Sequence, residues 1–135
     1  MTNSKFRISF EITDNIAVEG FRNFIKLLLS DDNKFDVYII SNDDNSMFIH
    51  NIAIQFGIDS RNVIITNFQE DKLQAIISNN IDIHLDNLQS FVIKVNELTA
   101  NSYGVLITKN LNKFYLQPDY VLVFEQLLRK IESEQ

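Results

Sequence analysis

Ile8-Ser9-Phe10-Glu11-Ile12-Thr13-Asp14-Asn15-Ile16 begins as a short apolar strand and ends in acidic and hydroxyl side chains, with Glu11 at the change. The same form returns along the chain. Strands are expected at 6–12, 36–41, 62–66, 81–85 and 103–108, each a β-branched or aromatic run that is nearly continuously apolar at its centre. Such runs belong to a sheet covered on both faces by helices. Between them lie segments with helical spacing: Phe21, Phe24, Ile25 and Leu28, then Phe48, Ile49, Ile52 and Phe56, then Leu73, Ile76 and Ile77. A shorter helix is expected over 87–98. A closing helix is expected over 118–131, with Pro118 in the first turn, where its missing N–H is no loss. Strict alternation of strand and helix predicts an α/β fold, a three-layer Rossmann-like sandwich around a five-stranded parallel sheet.

Open parallel sheets bind ligands beyond the carboxyl ends of their strands, where the strand order reverses. That rule selects Glu11 to Asp14, Ser41 to Asp44, Thr66 and Asn67, and Asp86 and Asn87 as the positions to read for chemistry.

A chain of 135 residues, 45% hydrophobic, has the length and apolar content of one domain, 1–135. The absence of Cys excludes disulfides and thiolate metal sites, and two His residues do not make a zinc site alone. The polar start, Met1 to Arg7, has no signal-type apolar stretch, and no apolar run approaches the roughly 20 residues that span a bilayer. The expectation is a cytoplasmic protein without a membrane partner. A formal charge of −6 with no basic block argues against nucleic acid as a partner. Abundant Ile, Asn and Lys suit an AT-rich coding genome such as many phages have.

The strand-end residues, in order, resemble those of the haloacid dehalogenase-like phosphohydrolases. In that superfamily the first strand ends in Asp-x-Asp-Gly-Thr, and here the two aspartates are replaced by Glu11 and Thr13. Asp36-Val37-Tyr38-Ile39-Ile40-Ser41-Asn42 is similar to the second motif, whose terminal hydroxyl binds the phosphoryl group. The resemblance gives Ser41 and Asn42 that role, although taken alone Ser41, Asn42 and Asp43 read first as turn and N-cap residues. Lys72 falls where the family keeps a lysine that neutralises the phosphoryl charge, although taken singly it reads first as an ordinary solvated helix charge. Ile81-Asp82-Ile83-His84-Leu85-Asp86-Asn87 resembles the fourth motif, whose acids hold Mg²⁺. His84, two positions before Asp86, reads as a buried structural imidazole. A response-regulator receiver requires an aspartate after the third strand, and Asn62 to Asn67 supply none.

What the resemblance implies for activity is altered by the departures. The family's first aspartate attacks phosphorus and its second acts as acid and base. Glu11 carries an extra methylene, and a nucleophile displaced by ~1 Å loses ~10²-fold in rate. Thr13 is no acid at neutral pH. The expectation is a capless phosphatase-like domain of impaired or lost activity that keeps a cleft for phosphate and a weakly held Mg²⁺. Glu11 and Asp86 would be the metal ligands and Ser41, Asn42 and Lys72 the phosphate contacts, with a phosphorylated ligand or a protein as partner. Two alternatives stand beside it: an active Mg²⁺-dependent phosphohydrolase using Glu11, Thr13 and Lys72, and a structural interaction module that needs none of them.

Overall fold

A computed structural model describes residues 5–12 and 19–106. In chain order the elements are β1 (Phe6–Phe10), α1 (Glu19–Ser30), β2 (Phe35–Ser41), α2 (Ser46–Phe56), β3 (Val63–Ile65), α3 (Gln69–Ser78), β4 (Ile83–Asp86), α4 (Gln89–Leu98) and β5 (Tyr103–Leu106). The strands form one parallel sheet in the order β3-β2-β1-β4-β5, which makes the fold a three-layer Rossmann-like α/β sandwich. The expected closing helix over 118–131 lies outside the described residues, as do positions 107 and 108 of the fifth expected strand.

The order records one reversal. From β1 the chain steps outward through β2 to β3, then returns past β1 to lay down β4 and β5 on its other side. Right-handed crossovers in opposite directions put their helices on opposite faces of a sheet, and the core divides accordingly. One buried cluster joins Phe21, Phe24, Ile25 and Leu28 of α1 and Ile49, Ile52 and Ala53 of α2 to Ile8, Phe10, Val37, Ile39, Ile83 and Leu85 of the sheet. The other joins Ile76 of α3 and Phe91 and Val95 of α4 to Tyr38 and Ile40. Side chains alternate between faces along a strand, so the second face receives Ser9 and Glu11 from the vicinity of β1, and His84 and Asp86 from β4. All four are buried.

The element ends have local causes. The Asn45 side chain accepts the Phe48 N–H at 3.1 Å and starts α2, and Gly57 ends it at φ 76°, a left-handed conformation that glycine adopts without a Cβ penalty. The fourth strand begins two residues later than the sequence suggests. The Ile81 N–H still bonds the Ile76 carbonyl at the end of α3, and the Asp82 side chain accepts the Arg7 N–H at 2.8 Å. The Asp82 backbone already donates to the Arg7 carbonyl at 2.8 Å and accepts the Tyr103 N–H at 2.9 Å, and residue pairing starts at Ile83, opposite Ile8.

Candidate functional site

β1 and β4 are neighbours across the point where the strand order reverses, and Phe10 pairs with Leu85. The next residue on each strand is a carboxylate, so Glu11 and Asp86 stand side by side at the carboxyl end of the sheet, both buried. α3 lies on this face and sends Lys72 back over the sheet. The ammonium donates to Glu11 Oε1 at 3.0 Å and to Asp86 Oδ2 at 2.8 Å, with Asn42 Oδ1 at 3.4 Å. Its Nζ also sits 4.3 Å from the centre of the Phe91 ring, a cation–π contact. Lys72 is 1% exposed. Its three N–H donors therefore meet three protein acceptors.

The carboxylates are held from behind as well. Glu11 Oε1 accepts the Asn42 N–H at 3.1 Å and Oε2 accepts the Ile12 N–H at 2.8 Å. Asp86 Oδ1 accepts the Leu88 N–H at 3.0 Å, and Oδ2 faces His84 Nε2 at 2.8 Å. A carboxylate only accepts, so that ring nitrogen carries the hydrogen. The neutral imidazole then accepts from the Ser9 hydroxyl at Nδ1, 2.7 Å away. Burial pushes the His84 imidazole down from its ordinary value, with the Asp86 hydrogen bond opposing it only in part. Burial pushes the Asp86 carboxyl up, but the His84 hydrogen bond and the charge and hydrogen bond of Lys72 together outweigh it and hold the group below the usual carboxylate range. The result is a continuous buried polar chain, Ser9–His84–Asp86–Lys72–Glu11, running from mid-sheet to the strand ends.

Four of the residues read from the sequence meet here: Glu11, Asn42, Lys72 and Asp86. Ser41 lies at the same end of the sheet, but alternation puts it on the face of Val37 and Ile39, and its hydroxyl accepts the Asp43 N–H at 3.1 Å as a turn residue does. Thr13 lies outside the described residues. Ser9 and Phe91 complete the cluster and were not singled out. The signal for Ser9 was a small hydroxyl inside an apolar strand on the same face as Glu11.

Chemically, two carboxylates with one ammonium and a neutral imidazole leave the cluster with one net negative charge, suited to a cation rather than an anion. Among the described residues no group of three His, Cys, Asp or Glu side chains is placed to hold a metal ion. Recesses of about 250 and 410 Å³ open at the opposite, amino end of the sheet, where they share Asn80 and Asp82. Comparison of the chain with protein-family models, curated proteins and solved structures finds no match.

Proposed function

We propose that this chain is a small haloacid dehalogenase-like domain whose phosphatase chemistry has been lost. The observation that carries the proposal is Lys72 clasped between Glu11 and Asp86 at the reversal point of a parallel sheet ordered 3-2-1-4-5. A lysine in contact with the first-strand carboxylate and the fourth-strand carboxylate is the relationship expected of that family's charge-neutralising lysine, nucleophile and metal ligand. It arises here from residues far apart in sequence.

Loss of catalysis follows from how the same groups are engaged. Glu11 Oε1 takes two donors and Oε2 takes the N–H of the next residue, so the carboxylate is turned back onto its own strand end. The Lys72 ammonium has no donor left for a phosphoryl oxygen. A hard divalent cation prefers carboxylate oxygens, and Glu11 and Asp86 would hold it. Their fit is partial, because Lys72 already neutralises one of the two charges. Binding of Mg²⁺ is accordingly weak, and a phosphorylated ligand would depend on that cation. The domain acts by binding a partner rather than by turnover.

The test is hydrolysis of an aryl phosphate with Mg²⁺. Wild-type protein is expected to give background rates, unchanged in Glu11→Gln. Turnover well above background and abolished by Glu11→Gln would replace this reading with an active enzyme.

A further inference from the structure

The sheet face that carries the candidate site is also charged at its amino end, where none of the side chains belongs to that site. Arg7 of β1 stands opposite Asp36 of β2, and Asp82, just before β4, has the parity of His84 and Asp86. Lys5, Arg7, Asp36, Asn80 and Asp82 line the recess of about 410 Å³. Two bases and two acids thus border one space. Among the described residues none of the four forms an ion pair with another.

Their other contacts separate the engaged groups from the available ones. Asp36 Oδ1 accepts from the Asn62 amide at 2.8 Å. Arg7 is anchored by a single bond, from its guanidinium to the Asn79 carbonyl at the end of α3, 2.7 Å away, and its remaining side-chain donors have no partner among the described residues. Asp82 Oδ2 accepts the Arg7 backbone N–H at 2.8 Å, while Oδ1 has no partner among them. Burial pushes the Asp82 carboxyl up from its ordinary value, and the Arg7 N–H and charge oppose it only in part. An ammonium placed against this half-buried carboxylate would favour its charged form. Asp82 and Asn80 also line the recess of about 250 Å³, whose apolar wall includes Ile77, Ile81 and Leu98. Ile77 and Leu98, near the ends of α3 and α4, are 41% and 63% exposed.

We infer that the two recesses form one binding site for a free α-amino acid with an apolar side chain. An anion alone would meet the two carboxylates, and a cation alone the two bases. A zwitterion satisfies both. An α-amino acid carries its ammonium, carboxylate and side chain on one carbon, and Asp82 stands where the charged recess meets the apolar one. The ammonium goes to Asp82, the carboxylate to the Arg7 fork with Lys5 beside it, and the side chain between Ile77 and Leu98. The site lies at the opposite end of the sheet from Glu11 and Asp86, so it does not depend on the phosphatase-like reading.

Titration of the full chain with L-leucine, followed in the amide proton–nitrogen NMR spectrum, tests the inference. The signals of Asn80, Asp82 and Leu98 should move to saturation with a dissociation constant on the order of 1 mM. Isoamylamine lacks the carboxylate and isocaproate lacks the ammonium, and each should bind about tenfold more weakly, having lost a charge-assisted contact. Asp82→Asn keeps an oxygen for the Arg7 N–H and removes the charge alone. It should bind L-leucine about tenfold more weakly and isocaproate at least as well as the wild type does. The comparison of the three ligands is made on wild-type protein and needs no variant. Absence of saturable shifts with L-leucine overturns the inference. So does isoamylamine or isocaproate binding as tightly as L-leucine, or wild-type affinity for L-leucine in Asp82→Asn.

Discussion

β1 and β4 show two different things on their two sides. Toward α1 and α2 their central residues are Ile8, Phe10, Ile83 and Leu85, all fully or almost fully buried, with Phe10 edge-on to Phe21 and Phe56. Toward α3 and α4 the intervening residues and those just beyond the strands are Ser9, Glu11, His84 and Asp86, buried just as completely. Burial alone does not distinguish the faces. The first is held by loss of apolar surface from water, about 25 cal/mol for each Å². The second places charged groups where desolvation opposes folding, and it is stable only because every member has partners. On β1 and β4 one face is apolar core and the other carries the candidate site, and both are encoded in alternate residues of the same short strands.

The sharpest way to break this contrast is Lys72→Met. It preserves much of the side chain's volume but leaves Glu11 and Asp86 adjacent, buried and without their shared cation. Removing one partner of a buried ion pair is expected to destabilise by about 3–5 kcal/mol. Urea unfolding measures the loss, and adding Glu11→Gln to the same protein should recover part of it by removing one of the stranded charges.

Acidification addresses the polar face alone. With His84 held below its ordinary value of 6.5, the unfolded chain takes up the proton first, so stability falls as pH drops through that value. The Asp86 contribution has the same sign: it is fully present above 3.8 and is lost as pH falls through the lower folded value. Urea midpoints should decline from pH 7 to pH 5, and His84→Gln should flatten that decline. Equal slopes in the two proteins would mean that the buried imidazole does not set the acid sensitivity.

On the apolar face, Ile8→Val should lower stability by about 0.5–1.5 kcal/mol, the ordinary result of removing one buried methylene. Its effect should be the same at pH 5 and pH 7. The smallest effect expected is from Mg²⁺. At a free concentration equal to its dissociation constant, a ligand of the native state adds only about 0.4 kcal/mol, so thermal unfolding should shift by a small amount, and less in Asp86→Asn. A melting temperature that stays flat to high millimolar Mg²⁺ would favour a purely structural module.

The sequence was most legible where one residue type repeats over a whole element. Apolar runs announced all five strands, and helical spacing announced α1 to α3, with a shorter helix expected where α4 lies, because sheet and helix periodicities act over several consecutive residues. Ends were less legible. The start of β4 was displaced because the Ile81 N–H is still engaged by the Ile76 carbonyl at the end of α3, a contact that apolar patterning does not register. The site divides the same way. Glu11 and Asp86 could be found from strand ends, and His84 from its parity with Asp86. Lys72 looked like any helix lysine, since its partners lie 61 and 14 residues away and nothing local marks it as buried. Ser41 stands at the expected end of the sheet but on the face of Val37 and Ile39, because one step along a strand moves a side chain to the other face and motif order alone does not register that step.

The Lys72 ammonium, enclosed by Glu11 and Asp86, is the centre of the proposed site. It can be observed directly in a proton–nitrogen NMR spectrum of the lysine side chains, where exposed ammonium protons exchange with water too fast to be seen at neutral pH and enclosed ones persist. One persistent ammonium signal is predicted, absent in Lys72→Arg and displaced in both Glu11→Gln and Asp86→Asn. A spectrum in which Lys72 exchanges like a surface lysine, or in which its signal ignores both carboxylate substitutions, would contradict the account.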